Sequence, residues 1–287
     1  MQWAATVTGE KLRPPGEMLS DNRPIGVFDS GVGGLTVLQA LHEELPGEST
    51  VYLGDLARCP YGPRSQAEVR VFALQIADLL RDCDIKLLVV ACNTATAAAF
   101  AELRDRYAFP VVGVVVPGAD AALRLTRSGR IGVIATDGTV ASGAYLQAIQ
   151  RASPGAMVVQ RAASWLVPMI ERGALARARM ALELAPTLIE LRAEGIDTLI
   201  LGCTHFPLIR DIFEAEAGAE VQVVDSAVTT AQEVRRLLTE RGIRANRPTT
   251  HRLLVTGPAE AFAERAQAMF HTSPRIETVD LLAGYAR

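Results

Sequence analysis

Leu88-Val89-Val90-Ala91-Cys92-Asn93-Thr94 and Leu199-Ile200-Leu201-Gly202-Cys203-Thr204-His205 are the two stretches that decide the fold. Each is a short apolar run closed by a small residue, a cysteine and a polar residue, and the two lie 111 positions apart. A second pair of landmarks keeps step: Gly26-Val27-Phe28-Asp29-Ser30-Gly31 and Gly132-Val133-Ile134-Ala135-Thr136-Asp137 are 106 positions apart. Leu45-Pro46-Gly47 and Ser153-Pro154-Gly155 follow in the same order. Ordered landmarks at nearly constant offset indicate an internal duplication.

Around these landmarks, apolar runs of four to six residues alternate with longer amphipathic ones. Strands are expected at Ile25–Phe28, Thr50–Leu53, Leu87–Ala91, Val111–Val115, Ile131–Ala135, Ala156–Val159, Thr198–Leu201, Val221–Val224 and His251–Thr256. Helices are expected at Leu35–Leu45, Ser65–Cys83, Thr94–Tyr107, Val140–Arg151, Leu175–Ala193 and Thr229–Arg241. Continuously apolar strands separated by helices read as parallel sheets covered on both faces. The class is α/β, with two pseudo-symmetric lobes, each a mostly parallel sheet flanked by helices.

Composition narrows the function. The 287 residues carry a formal net charge of −3, which gives no reason to expect a nucleic-acid or anionic-membrane partner. The stretch Phe109–Ala119 is too short for the ~18 apolar residues of a membrane span. Residues 1–23 lack the pattern of an export signal and read as a polar, flexible tail. Four cysteines with no CxxC pair or zinc-ligand spacing suggest free thiols in a reducing cytoplasm, with no structural metal. Only two lysines occur, Lys11 in the tail and Lys86 before an apolar strand, against 27 arginines. Neither suits a pyridoxal-phosphate Schiff base, and no cofactor is expected.

Cys92 and Cys203 occupy equivalent places in the duplicated unit, at strand carboxyl ends, where open α/β sheets bind ligands. A helix N-terminus beside such a thiol would favour thiolate. Cys59 and Cys83 read instead as small apolar residues, and Asp82 and Asp84 oppose ionisation of Cys83. Two equivalent thiols on facing lobes suit inversion of a carbon centre, because one proton must leave one face while another reaches the opposite face. Redox use of the pair is the competing chemistry, but it favours adjacent cysteines.

The other polar residues fit a small zwitterionic substrate. Asp29-Ser30-Gly31-Val32-Gly33-Gly34 is a glycine-rich strand-to-helix turn able to bring N–H groups and a hydroxyl to an anion, though it lacks the P-loop lysine. Asn93, Thr94, Thr136, Thr139 and Thr204 fall at expected strand ends, where they could hold a carboxylate. His205 shares that placement; His42, His251 and His271 read as surface or packing residues.

In this order and spacing the residues resemble glutamate racemase, the cofactor-independent enzyme supplying D-glutamate for bacterial cell walls. The likeness rests on Gly26 through Val37, Arg58-Cys59-Pro60-Tyr61-Gly62, Ala91 through Ala95, Val116-Pro117-Gly118 and Leu201 through Leu208. The resemblance implies two lobes with the active site in the cleft between them, the first over 24–118 plus 226–287 and the second over 119–225. It implies Cys92 and Cys203 as the proton-transfer residues, assisted by Asp29 and His205, with Glu171 a further acidic residue on the second side. Substrate contacts would come from Asp29, Ser30, Tyr61, Gly62, Asn93, Thr94, Thr136, Thr139, Thr204 and His205, in a homodimer. Cys59 stands where the family usually has an aromatic residue and is expected to be neutral packing. Helix termini and His205 are expected to lower one thiol pKa, while carboxylates oppose full ionisation. A related racemase of aspartate or a hydantoin is the nearest alternative. His205 after Thr204 favours glutamate, since an acidic residue would be expected there for aspartate. A non-catalytic amino-acid-binding or regulatory protein, acting also on DNA gyrase as some family members do, is the alternative from another class.

Overall fold

Side chains on successive residues of the first strand enter different cores: Val27 packs on one face of its sheet and Phe28 on the other, both fully buried. That double burial is why the strands read as unbroken apolar runs, each large aliphatic side chain contributing roughly 1.5–3 kcal/mol on leaving water. The structure, a computed structural model, describes residues 20–247, 249–271 and 274–281, the side chains of 174 and 175 apart. Most of the expected tail, residues 1–19 with Lys11, lies outside the described residues.

The first half contains strands β1 (Ile25–Asp29), β2 (Thr50–Gly54), β3 (Leu87–Val90) and β4 (Val111–Gly113). Helices α1 (Leu35–Glu44), α2 (Gln66–Asp82) and α3 (Asn93–Arg106) connect them, and α4 (Val115–Leu125) leads onward. The second half contains β5 (Arg130–Ala135), β6 (Met157–Ala162), β7 (Thr198–Gly202) and β8 (Gln222–Asp225). Its helices are α5 (Asp137–Ser142), α6 (Ala144–Ala152), α7 (Leu166–Glu171), α8 (Arg177–Ala193) and α9 (Arg210–Ala217). The chain closes with α10 (Ser226–Glu240), β9 (His251–Val255), α11 (Glu260–Phe270) and β10 (Ile276–Thr278).

The sheets run β10-β9-β2-β1-β3-β4 and β6-β5-β7-β8. The order 2-1-3-4 is thus repeated as 6-5-7-8, with every pairing parallel. In each half the order reverses between the first and third strands, the place where doubly wound sheets open a crevice at their carboxyl ends. Asp29 and Cys92 stand at that point in one lobe, Thr136 and Cys203 in the other. One apolar cluster covers each face of each sheet.

Three expectations need correction. The strand expected over Val111–Val115 stops at Gly113, and Val115 opens α4. The helix expected over Val140–Arg151 is two, broken at Gly143, whose φ of 65° ends α5 and redirects the chain into α6. The segment at Leu175 is a 3-10 turn, Gly173–Ala176, before α8. Strand β10 and helices α4, α7, α9 and α11 were not expected. Lys86 is fully buried, paired with Glu48 at 2.5 Å and donating to the carbonyls of Asp21 (2.7 Å) and Ile243 (2.9 Å).

Candidate active site

Both strand-end cysteines line one cavity of about 630 Å³. Its walls combine Ser30, Tyr61, Gly62, Cys92, Asn93 and Thr94 from the first half with Thr136, Glu171, Cys203, Thr204 and His205 from the second. Of the residues expected at the site, only Asp29 and Thr139 are absent from its walls; both are fully buried and bonded to residues that line it.

Cys92 is the N-cap of α3, and its Sγ accepts from the backbone N–H of Ala95 at 3.4 Å. Its thiol points to Ser30 Oγ at 3.8 Å. Burial nonetheless pushes this thiol well above the ordinary range, the Asp29 carboxylate adds to the rise, and the Ala95 and Ser30 contacts recover only part of it. The expectation that a helix terminus would depress the Cys92 pKa is therefore overturned by desolvation. Cys203 differs: a turn and a 3-10 helix, Phe206–Ile209, follow it rather than an α-helix. Its Sγ has the His205 ring instead, with Nδ1 at 3.9 Å.

His205 Nε2 donates to Glu171 Oε1 at 3.0 Å. Burial pulls the His205 pKa down, but the hydrogen bonds to Cys203 and Glu171, together with the Cys203 and Asp29 charges, bring it up to about 10. An imidazolium at neutral pH follows, and its bond holds the Glu171 carboxyl below the usual range. Burial pushes the Asp29 carboxyl up, against the pull of His205, of the Gly31 and Gly34 amides and of Thr204.

The glycine-rich turn has a different use from the one expected. The Gly31 and Gly34 N–H groups donate to Asp29 Oδ2, at 2.9 and 3.0 Å, so they cradle the chain's own carboxylate rather than an incoming anion. Asp29 Oδ1 accepts from Thr204 Oγ1 of the other lobe at 3.3 Å. Gly33 lets the lobes meet: a Cβ there would lie 2.4 Å from Thr204 Oγ1 and 2.5 Å from His205 Nδ1.

Thr94, Thr136 and Thr139 form a closed triangle of buried hydroxyls, at 2.9, 3.0 and 3.3 Å, joining the N-terminal turn of α3 to α5 across the cleft. The Gly138 N–H donates to the Gly62 carbonyl at 3.0 Å, a second tie between lobes. Tyr61 donates to Asp55, whose other oxygen accepts from Thr256 at 2.7 Å. Cys59 lines the cavity, and burial pushes its thiol up to about 12. Sequence reasoning missed Ser164, whose hydroxyl accepts from the Asp137 N–H, and Phe262 and Arg265, which α11 brings to the cavity mouth. These carry no local motif, and their helix itself was not expected.

The sequence profile of the Asp/Glu/Hydantoin racemase family matches residues 25–234. The chain belongs to this family. Among its relatives, the glutamate racemase of Neisseria meningitidis is 48% identical over 228 residues, covering 79% of this chain and 84% of that one. A solved glutamate racemase of Bacillus anthracis has a TM-score of 0.89 at 40% identity, covering 91% of this chain and 98% of its own. The glutamate racemase of Francisella tularensis, solved with D-glutamate, has a TM-score of 0.82 at 34% identity, covering 92% and 99%. The two-lobe architecture is shared with these solved racemases.

Proposed function

We propose that this protein racemises glutamate by two-base proton transfer at the α-carbon, without a cofactor, and so supplies D-glutamate for peptidoglycan. The observation that carries the reading is the lining of one cavity by Cys92 and Cys203, from matching strand ends of facing lobes. One sulfur, as thiolate, takes the α-proton from one face; the other, as thiol, gives a different proton to the opposite face. The reverse reaction exchanges their roles.

The chemical difficulty is the weak acidity of that α-proton beside a carboxylate. Aligned donors in a site shielded from water lower the cost of the negative charge that develops. Ser30, Thr94, Thr136 and Thr204 are the candidate donors, with Thr139 holding Thr94 and Thr136 from behind, Asn93 binding the carboxylate in ground state and transition state alike, and the Tyr61–Gly62 turn closing the site. His205 stands between Cys203 and Glu171, where its imidazolium can pass a proton to the Cys203 thiolate and become neutral imidazole; Asp29 fixes Thr204 and sets the electrostatics on the Cys92 side. His205 next to Thr204 supports glutamate over aspartate. No described helix is long and apolar enough to cross a membrane. A cytoplasmic homodimer belongs to the same proposal and is supported by the family resemblance, as are the lobe boundaries 24–118 plus 226–287 and 119–225.

Circular dichroism of purified, cofactor-free protein with L-glutamate, D-glutamate and L-aspartate tests this reading. Loss of signal from either glutamate enantiomer, and none from aspartate, is expected. A constant glutamate signal defeats the proposal.

A further inference from the structure

Tyr145 is fully buried on α6, outside the cavity wall, yet it touches the flanks of both cysteines. Its hydroxyl donates to Oδ1 of Asn93, the residue after Cys92, at 2.7 Å. Its ring lies over Gly202, the residue before Cys203: a Cβ at Gly202 would stand 3.0 Å from Tyr145 Cε2. Gly118 leaves room on another side, where a Cβ would meet the Tyr145 ring and hydroxyl at 3.5 Å. Gly143, at φ 65°, is the N-cap of α6, whose buried residues are Tyr145 and Ile149.

The single phenolic proton of Tyr145 goes to Asn93 Oδ1, the acceptor in that bond. The Asn93 side chain is 2% exposed, and among the described residues its Nδ2 has no hydrogen-bond partner. A buried amide donor without a partner, on a residue that lines the cavity, is costly unless a ligand satisfies it.

We infer that Tyr145 is a positioning residue: by engaging Asn93 Oδ1 it fixes the amide so that Nδ2 faces the cavity as a donor for a substrate carboxylate. The inference rests on the racemase reading above and adds to it a residue of the second lobe that acts through one of the first. Because the amide contact is made to ground state and transition state alike, its loss raises KM and spares kcat.

The test is a double-mutant cycle on steady-state racemisation, with thermal midpoints recorded for every protein. Tyr145→Phe keeps the ring and removes the hydroxyl; KM is expected to rise about tenfold, with kcat within about twofold. Asn93→Ala is expected to raise KM by at least as much, and Tyr145→Phe to add nothing in that background. A Tyr145→Phe enzyme with unchanged KM, or one whose loss is the same with and without Asn93, overturns the inference. Should Tyr145→Phe not fold, Asn93→Asp decides: with Tyr145 holding one oxygen, the other faces the substrate carboxylate, and KM must rise beyond that of Asn93→Ala. An equal or smaller rise overturns it. An inactive but folded wild-type protein would instead defeat the racemase reading.

Discussion

Replacing Glu171 by Gln should move the basic limb of the activity profile to lower pH. His205 is 5% exposed, holds Glu171 Oε1 at 3.0 Å, and titrates at about 10. An opposite charge at that range raises a cation's pKa by roughly 1–3 units. The Glu171 side chain is 41% exposed, so solvent screening places its share in the lower part of that range, about 1–2 units. In Glu171→Gln the His205 pKa then falls to about 8–9. At pH 9 the imidazolium fraction drops from about nine-tenths to about one quarter at the middle of that interval. The assay is the initial rate by circular dichroism from pH 6 to 11, each enzyme normalised to its own plateau. The wild-type rate should fall through about pH 10 and the variant rate through about 8–9. A folded variant whose basic limb stays in place would refute the coupling. The same raised pKa bears on stability. With an unfolded pKa near 6.5, the His205 contribution is complete below about pH 6.5 and gone above about pH 10, so the urea midpoint should decline across that window. Replacing His205 by Asn should flatten the decline.

Asp29→Asn should lose both activity and about 1–3 kcal/mol of stability, measured by urea unfolding, because an amide cannot accept at every site where Gly31, Gly34 and Thr204 now donate. Gly33→Ala should leave a folded enzyme slowed at least tenfold in kcat, read in the same dichroism assay, because its methyl would displace Thr204 and His205 from their present contacts. Lys86→Met should cost about 3–5 kcal/mol in urea unfolding by stranding the buried Glu48 charge, while the folded variant keeps its turnover rate at low temperature.

The duplication was legible because a parallel strand buried on both faces must be apolar throughout, and because each half carries a cysteine at the end of its third strand. Pattern alone could not separate β4 from α4: Val111 through Pro117 is one apolar run, and the change from strand to helix after Gly113 depends on packing against the second sheet. The break at Gly143 was hidden because the amphipathic pattern continues through it. At the site, polar residue types at strand ends marked the cavity, yet the electrostatics could not be read from them. The Cys92 helix terminus suggested a lowered thiol pKa, and burial reversed it. The glycine turn suggested an anion cradle, and the chain fills it with Asp29. Tyr145 gave no local signal, since its meaning lies in Asn93, 52 positions away.

Isotope uptake during the first few per cent of reaction tests the account most directly. With L-glutamate in D₂O, opposed thiols should deliver solvent deuterium to the α-carbon of nearly every D-glutamate formed, while unreacted L-glutamate keeps its protium. D-glutamate that retains the original α-proton would mean that a single group both removes and returns it, and the assignment of Cys92 and Cys203 to opposite faces would be wrong.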